Sequence, residues 1–481
     1  MRSRRYDLVV VGGGTGGLVS AIIAGQLGAR VALIERDRMG GDCLWTGCVP
    51  SKALIAAAAA AHTMRTADRF GLSPVVPAVD LAAVMASVRE TIATLAVAES
   101  PERLREHGVE AIPAHGRFLG PNRLDADGVE LGWRSAIIAT GSTPALPPIR
   151  GIGDVDPLTN ESVWDLDALP ARLLVIGGGT IGCELAQAFA RLGAAVTIVE
   201  AAPRLLARED PTVSELILGR LRAEGVTVHL DAQPREISRT PEGCALELTG
   251  EPTRTIVADR VLVATGRRAR TDGLALERIG VAVAAGEPIH VDTRLRTDAA
   301  GVYAVGDVTG LAPFTHVAAH HARVATPNAL FHTRSRVQSI IPHVTFTDPE
   351  VAQVGMSSAE ARDRWGSAAR ILEHADRDLD RAVTARSTDG FTQLITDPRR
   401  RLVGATVCGP SAGETIAELT AWILNAKRVH DLSRSIHAYP TFSEGPARAA
   451  DDFLAEELLS GPVRRVARGL LGVLRVLPAG R

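Results

Sequence analysis

The 481-residue chain is almost without lysine: of 53 basic residues, only Lys52 and Lys427 are not arginine. Ammonium and guanidinium groups are not interchangeable, so a lysine kept at one place in so arginine-biased a chain points to a specific role. Cysteine is scarce, at five, and aromatic residues make up 4%. So few cysteines exclude a disulfide-built scaffold. A net charge of −2 offers no basic excess to hold nucleic acid and no acidic tail. No apolar run is expected to approach the roughly 18 residues of a membrane span. What remains is a globular chain, 46% hydrophobic, whose length predicts two to four domains.

The start, MRSRRYDLVVVGGGTGG, has the basic-then-apolar order of a secretion signal. Its apolar run is short, however, and breaks at Gly12, Gly13 and Gly14. It reads as a strand meeting a turn, and the expected location is cytoplasmic. In that compartment a close cysteine pair is redox-active or metal-binding sooner than a permanent staple.

The segment YDLVVVGGGTGGLVSAIIAGQLGARVALIER reads strand, glycine turn, helix, strand. Gly12, Gly14 and Gly17 fill the G-x-G-x-x-G pattern. The first glycine permits the tight turn, the second lets a pyrophosphate approach the backbone, and the third lets helix and strand pack closely. The helix then turns its positive end towards the phosphates. Glu35 ends the second strand, where an acid can bind ribose hydroxyls. The pattern returns in RLLVIGGGTIGCELAQAFARLGAAVTIVE, with Gly177, Gly179 and Gly182, and with Glu200 closing the next strand. One such fingerprint is weak evidence. Two, each between strand and helix and each with its acid, predict two bound dinucleotides.

Two further runs repeat, AIIATGS at Ala136 to Ser142 and VLVATGR at Val261 to Arg267. Each is an apolar strand ending in Thr-Gly (Thr140–Gly141, Thr265–Gly266), suited to a chain crossing between nucleotide domains. GVYAVGDVTG follows, with Asp307 just past a strand, where it either accepts bonds from a cofactor's sugar-alcohol hydroxyls or caps a turn.

Cys43 and Cys48 lie in GGDCLWTGCVPSK, with Lys52 at its end. Five helical steps rise about 7.5 Å, whereas a disulfide needs its Cα atoms within about 7 Å. A regular helix therefore cannot join them, and Gly47 and Pro50 suit a distorted first turn that could. A helix start also favours the thiolate. No second cysteine pair or histidine cluster lies nearby in sequence, so zinc is disfavoured and no metal site is expected. Cys183, Cys244 and Cys408 are isolated and read as buried spectators.

In this order the pieces resemble the class I flavoprotein (pyridine nucleotide) disulfide oxidoreductases, the family of dihydrolipoyl dehydrogenase, glutathione reductase and mercuric reductase. The resemblance covers about residues 5 to 458. It implies an α/β fold of two Rossmann-like dinucleotide-binding domains, for FAD and NAD(P), plus an α+β C-terminal dimerisation domain. The implied boundaries are 1–150 for the first part of the FAD domain, 151–270 for NAD(P), 271–340 for the return to FAD, and 341–460 for dimerisation, entered through HVTFTDPEVAQVG. Residues 461–481 remain as a basic amphipathic tail. The resemblance assigns FAD to Gly12, Gly14, Gly17, Glu35, Thr140, Gly141 and Asp307, and NAD(P) to Gly177, Gly179, Gly182, Glu200 and Gly266. Glu200 favours NADH, because a carboxylate would repel the 2′-phosphate of NADPH. Arg204 lies close by and keeps NADPH open.

By the same resemblance Cys48 is the charge-transfer thiol beside FAD and Cys43 the interchange thiol that meets substrate. Lys52 is the lysine near the flavin, paired with Glu184. Electrons would pass from NAD(P)H through FAD to a Cys43–Cys48 disulfide and on to an acceptor. Disulfide-using members end in His-Pro-Thr followed by a Glu, and that His is the acid–base for the partner subunit's thiols. Here the frame is HAYPTFSE: Tyr439 stands in its place, Glu444 is kept, and His437 lies two positions earlier. Tyrosine, with a pKa near 10, is a poor base at neutral pH. In an extended segment His437 would point to the same side as Tyr439, as a substitute base or as a structural residue.

Mercuric reductases also place a tyrosine near this point, and ELAQAFARLG looks more like theirs. Their C-terminal vicinal cysteine pair has no counterpart here, where Cys408 is the last cysteine. The expected function is a homodimeric NAD(P)H oxidoreductase, mercuric reductase-like, acting on a metal ion, quinone or other electrophile. The alternatives are a dihydrolipoyl dehydrogenase or other small-disulfide reductase with His437 as base, and a nonenzymatic flavin redox sensor. The final GPVRRVARGLLGVLRVLPAGR alternates Arg464, Arg465, Arg468 and Arg475 with Leu470, Leu471, Leu474 and Leu477. It reads as an amphipathic helix that either packs on the dimer, frays, or makes weak membrane-surface contact.

Overall fold

A computed structural model describes residues 4–250, 254–459 and 461–476; Leu477 of the tail lies outside them. The chain divides into two compact units, Met1–Leu205 with Leu221–Ser339, and Leu206–Arg220 with Ile340–Arg481.

The first unit is organised around two sheets. In the larger, the strand Arg4–Val11 lies between Val31–Glu35 and Val129–Ile138, parallel to both. Val109–Pro113 extends one side, and Val302–Ala304 returns from late in the chain to pair in parallel with Val129–Ile138. The continuous run Leu8–Val11 is the mark of a strand buried on both faces. Successive side chains alternate, so Val9 and Val11 enter one core while Leu8 and Val10 enter the other. The helix Thr15–Gln26 packs against Thr315–Phe331 on the second of these faces.

The second sheet repeats the plan, with parallel strands in the order Thr227–His229, Ala195–Val199, Arg172–Ile176, Arg260–Val263. Its helix Thr180–Leu192 is buried nearly all round, because the helix Cys48–Arg65 packs against it. That burial accounts for polar residues with matched partners: Arg191 makes two hydrogen bonds to Glu224, at 2.7 and 2.6 Å. The two Thr-Gly runs also meet. Ser142–Pro144 and Arg267–Ala269, which follow them, pair as a two-stranded antiparallel ribbon.

Two helical stretches, Gly41–Arg65 and Leu81–Glu106, are long and apolar enough to cross a membrane by length and composition alone. This corrects the expectation that no run comes near that length; the alanines of Ala56–Ala61 lengthen an apolar stretch that leucine and valine do not mark. Within the unit, Cys48–Arg65 packs against Thr180–Leu192 and Leu81–Ala96, and it buries Pro50, Ser51, Leu54, Ala58 and Ala61, spaced as one helical stripe.

The second unit holds a five-stranded antiparallel sheet in the order His343–Thr345, Glu350–Gly355, Leu402–Gly409, Phe391–Thr396, Arg370–Ala375. Its core joins Ala352, Val354, Leu394 and Ala405 of the sheet to Ile416 and Leu419 of the helix Ala412–Leu424. Glu209 and Asp210, from the Leu206–Arg220 segment, bond to His343 and Ser358 in this unit. Helices Glu444–Leu459 and Gly461–Val476 close the described chain.

Candidate active site

The two glycine turns superimpose in logic. A Cβ on Gly12 would strike the Ala139 carbonyl, and one on Gly17 would strike the Gly12 carbonyl. Gly177 and Gly182 meet the same obstacles in Ala264 and Gly177. Protein backbone alone demands these four glycines. The middle ones differ: a Cβ on Gly14 would come no closer than 3.8 Å to another residue, and one on Gly179 would meet nothing within 4 Å. The open space lies where a pyrophosphate must approach a helix N-terminus, so both turns fit a dinucleotide. Glu35 and Glu200 repeat one another too. Each accepts from the middle of its own glycine turn, Gly13 N–H and Gly178 N–H at 2.5 Å, and from a backbone N–H two residues on, at 2.8 and 2.7 Å. Each acid is thereby fixed at the end of its strand.

Thr140 donates to the Arg270 carbonyl at 2.6 Å, while Gly141 and Gly266 take positive φ, +70° and +143°. Asp307 sits in a single turn, Gly306–Thr309, and accepts from Ser142 Oγ at 2.7 Å. Burial pushes its carboxyl up; the Ser142 bond and Arg267 pull it back. The sequence alone gives Arg267, the end of VLVATGR, no role. In the structure it donates to Ser142 Oγ at 2.7 Å and to Asn160 Oδ1 at 3.1 Å, and it pairs with Asp42 at 3.2 Å and Asp307 at 4.0 Å. Asp42 in turn accepts from Thr46 and Asn160 at 2.7 and 3.1 Å. One guanidinium thus ties Asp307 to the helix that carries Cys43. The repeated Thr-Gly ends were the signal that could have found it.

Cys43 lies in the short helix Gly41–Trp45, and Cys48 is the first residue of Cys48–Arg65. The break between them falls at Thr46 and Gly47, and a Cβ on Gly47 would press within 2.8 Å of the Asp42 carbonyl. Pro50 falls in the first turn, where its missing N–H has no intrahelical partner to lose. Both thiols are free in this structure. The Cys43 thiol hydrogen-bonds to Cys48 and lowers the latter's pKa to about 6; partial burial opposes this, and Thr315 and Lys52 add to it. Cys43 is pushed far the other way by the same bond and by burial. Thr315 Oγ1 lies 3.3 Å from Cys48 Sγ, at the start of Thr315–Phe331. The pair is therefore asymmetric: a thiolate at Cys48 and a proton-holding thiol at Cys43.

Lys52 stands one turn beyond Cys48 and bonds to Glu184 at 2.9 Å. Glu184 is 4% exposed and Lys52 35%, so the cation is held from the buried side while reaching the thiolate's field. Cys183, Cys244 and Cys408 are buried; burial raises all three thiols.

In the C-terminal motif Tyr439, His437 and Glu444 each hold a different hydrogen-bond partner, although the Glu444 charge reaches Tyr439. Tyr439 is 66% exposed and donates to Asp380 at 2.8 Å; that bond raises the phenol's pKa. His437 lies in a non-strand segment and has separate partners: Nε2 is 3.2 Å from Glu418, and Nδ1 is 3.1 Å from the Ser435 carbonyl. Glu444 accepts from Thr441 N–H at 3.3 Å and pairs with Arg448 at 3.2 Å. Asp380 and Glu418, the true neighbours of the two candidate acid–base residues, were invisible in the sequence.

Two family models match the chain: pyridine nucleotide-disulphide oxidoreductase over residues 6–322, and the dimerisation domain of that family over residues 341–450. The chain is 37% identical over 460 residues to a mercuric reductase of Streptomyces lividans, covering 94% of this chain and 97% of that one. It is 36% identical over 459 residues to a dihydrolipoyl dehydrogenase of Thermus scotoductus, covering 93% and 97%. Among solved structures it resembles LpdA of Mycobacterium tuberculosis, with a TM-score of 0.85, 29% identity, and coverage of 94% and 99%. It also resembles the Cu(II) complex of the HOCl-induced flavoprotein disulfide reductase RclA of Escherichia coli, with a TM-score of 0.84, 27% identity, and coverage of 93% and 99%. The chain belongs to the pyridine nucleotide-disulphide oxidoreductases, as a homodimeric enzyme that uses FAD and NAD(P)H.

Proposed function

We propose that the enzyme reduces a soft electrophile, a metal ion or a quinone, through Cys43 and Cys48, in the manner of a mercuric reductase. FAD, when bound, supplies the two-electron relay between NAD(P)H and the thiols. Residues 1–150 and 271–340 hold FAD, through Gly12, Gly14, Gly17, Glu35, Thr140, Gly141 and Asp307. Residues 151–270 hold NAD(P), through Gly177, Gly179, Gly182, Glu200 and Gly266. Cys43, the protonated member, meets the acceptor; Cys48 stays poised as thiolate; and Lys52, braced by Glu184, supplies positive charge where negative charge develops. When the acceptor is reduced, the Cys43 thiol and the Cys48 thiolate together lose two electrons and one proton and join as a disulfide. The acceptor takes the two electrons, solvent or the acceptor takes the proton, and two electrons from NAD(P)H would restore the pair.

The observation that carries this reading is the state of the C-terminal motif. Tyr439 is bonded to Asp380 with its pKa raised, so it donates a hydrogen bond and does not accept a proton at neutral pH. Exchange with a small disulfide moves protons between thiols and draws on a positioned base, whereas a metal ion takes up electrons without protons and a quinone can take its two protons from solvent. The second reading is a small-disulfide reductase, favoured by the pairing of His437 with Glu418, a carboxylate–imidazole couple that could serve as base. Steady-state NADH oxidation by the purified holoenzyme with lipoamide, Hg(II) and a water-soluble quinone separates the two. The first reading expects turnover with Hg(II) or the quinone and negligible turnover with lipoamide. Lipoamide reduction at tens per second or more would replace it with the second.

NADH is the proposed donor. Glu200 is anchored by Gly178 and Ala202, and a fixed carboxylate there repels a 2′-phosphate. Glu200→Ala is expected to shift the kcat/KM ratio towards NADPH by about tenfold or more. An unchanged ratio would remove Glu200 from donor selection.

A further inference from the structure

We propose that the helix Gly461–Val476 docks this enzyme on an anionic lipid surface. The helix lies beyond residues 341–450, the stretch that matches the dimerisation domain. Its sequence, GPVRRVARGLLGVLRV, holds Arg464, Arg465, Arg468 and Arg475 and no acidic residue. The helix before it, Glu444–Leu459, carries Glu444, Asp451, Asp452, Glu456 and Glu457, so the charge reverses at their junction. At 3.6 residues per turn, the arginines gather in an arc of about 100°, and the valines and leucines from Val463 to Leu474 fill an opposite arc of about 160°.

Within one chain the apolar arc is exposed: Val466, Leu470, Val473 and Leu474 are 64%, 60%, 61% and 60% exposed. Two interior glycines, Gly469 and Gly472, have no packing reason, since a Cβ on either would meet nothing within 4 Å. Interior glycines weaken a helix in water, so the helix gains from a surface that buries its apolar arc. A lipid headgroup layer supplies both halves of the match, hydrocarbon for the valines and leucines and negative charge for the arginines. An identical helix from a second copy supplies only the first half, and leaves the arginines without a counter-charge.

Co-sedimentation of the full-length holoenzyme with vesicles tests this. Binding is expected to vesicles containing about one-third phosphatidylglycerol, to weaken as salt rises, and to be negligible with phosphatidylcholine alone. Replacing all four arginines of the helix by glutamine should weaken partitioning by about a hundredfold or more. The double variant Leu470→Ser, Leu474→Ser should abolish it, with NADH oxidation in solution unchanged. Failure of the wild type to pellet with anionic vesicles, or equal binding by both variants, overturns the proposal. So does sedimentation equilibrium in which the leucine variant falls from dimer to monomer, since the apolar arc would then belong to a second copy.

Discussion

Cys48→Ser will leave FAD bound but remove the long-wavelength charge-transfer absorbance on reduction, and will lower turnover through the thiols by at least about a thousandfold. The reasoning starts from the asymmetry of the pair. Cys48 carries the depressed pKa, about 6, and Cys43 supplies the hydrogen bond that is its largest cause. In the reduced wild type the absorbance should therefore grow as pH rises through about 6, because the thiolate is the high-pH form. Cys43→Ala removes that bond and leaves only the help of Thr315 and Lys52 against partial burial and the Asp42 charge. Its midpoint should move upward, towards the ordinary thiol value near 8.5. A pH titration of absorbance on both proteins reads this directly. A band that survives Cys48→Ser would show that the two cysteine roles are exchanged or misplaced. A midpoint that stays put in Cys43→Ala would show that the neighbouring thiol is not what holds the thiolate.

The parts of this site that were legible in the sequence are those set by local backbone. Gly12 and Gly17 are demanded by carbonyls a few residues away or one strand over, so their spacing is a signature that any turn of this kind must repeat. Lys52 stood out by composition alone, yet Glu184 could be named only by resemblance, because the two meet through helices 132 residues apart. Arg267 has no local signature for a related reason. Its role depends on the ribbon that joins Ser142–Pro144 to Arg267–Ala269, and no local pattern announces which distant carboxylates, Asp42 and Asp307, will share it. The grouping of Leu206–Arg220 with the C-terminal unit was hidden in the same way. The tail was the opposite case: a 3.6-residue period needs no tertiary partner to be seen.

Tyr439→His is the converse experiment, a gain rather than a loss. A free phenol with a pKa near 10 is ionised in only about one molecule in a thousand at pH 7, and Asp380 pushes Tyr439 higher still. An imidazole at the same place would titrate near neutrality. The Asp380 carboxylate, which now accepts from the tyrosine at 2.8 Å, would orient the ring and stabilise its protonated form. General acid–base help of this kind is worth about 10²–10⁴-fold. NADH-dependent lipoamide reduction should therefore rise by about a hundredfold or more in Tyr439→His. Hg(II) reduction should stay within about twofold, because a metal ion takes up electrons without protons and so does not draw on the base. Asp380→Asn serves as the control: it loosens the tyrosine without installing a base, and should gain nothing with lipoamide. If the wild type already reduces lipoamide quickly, and His437→Gln rather than any change at residue 439 stops it, the base is the Glu418-paired imidazole. The tyrosine would then be only a surface donor, and the enzyme's natural acceptor a small disulfide.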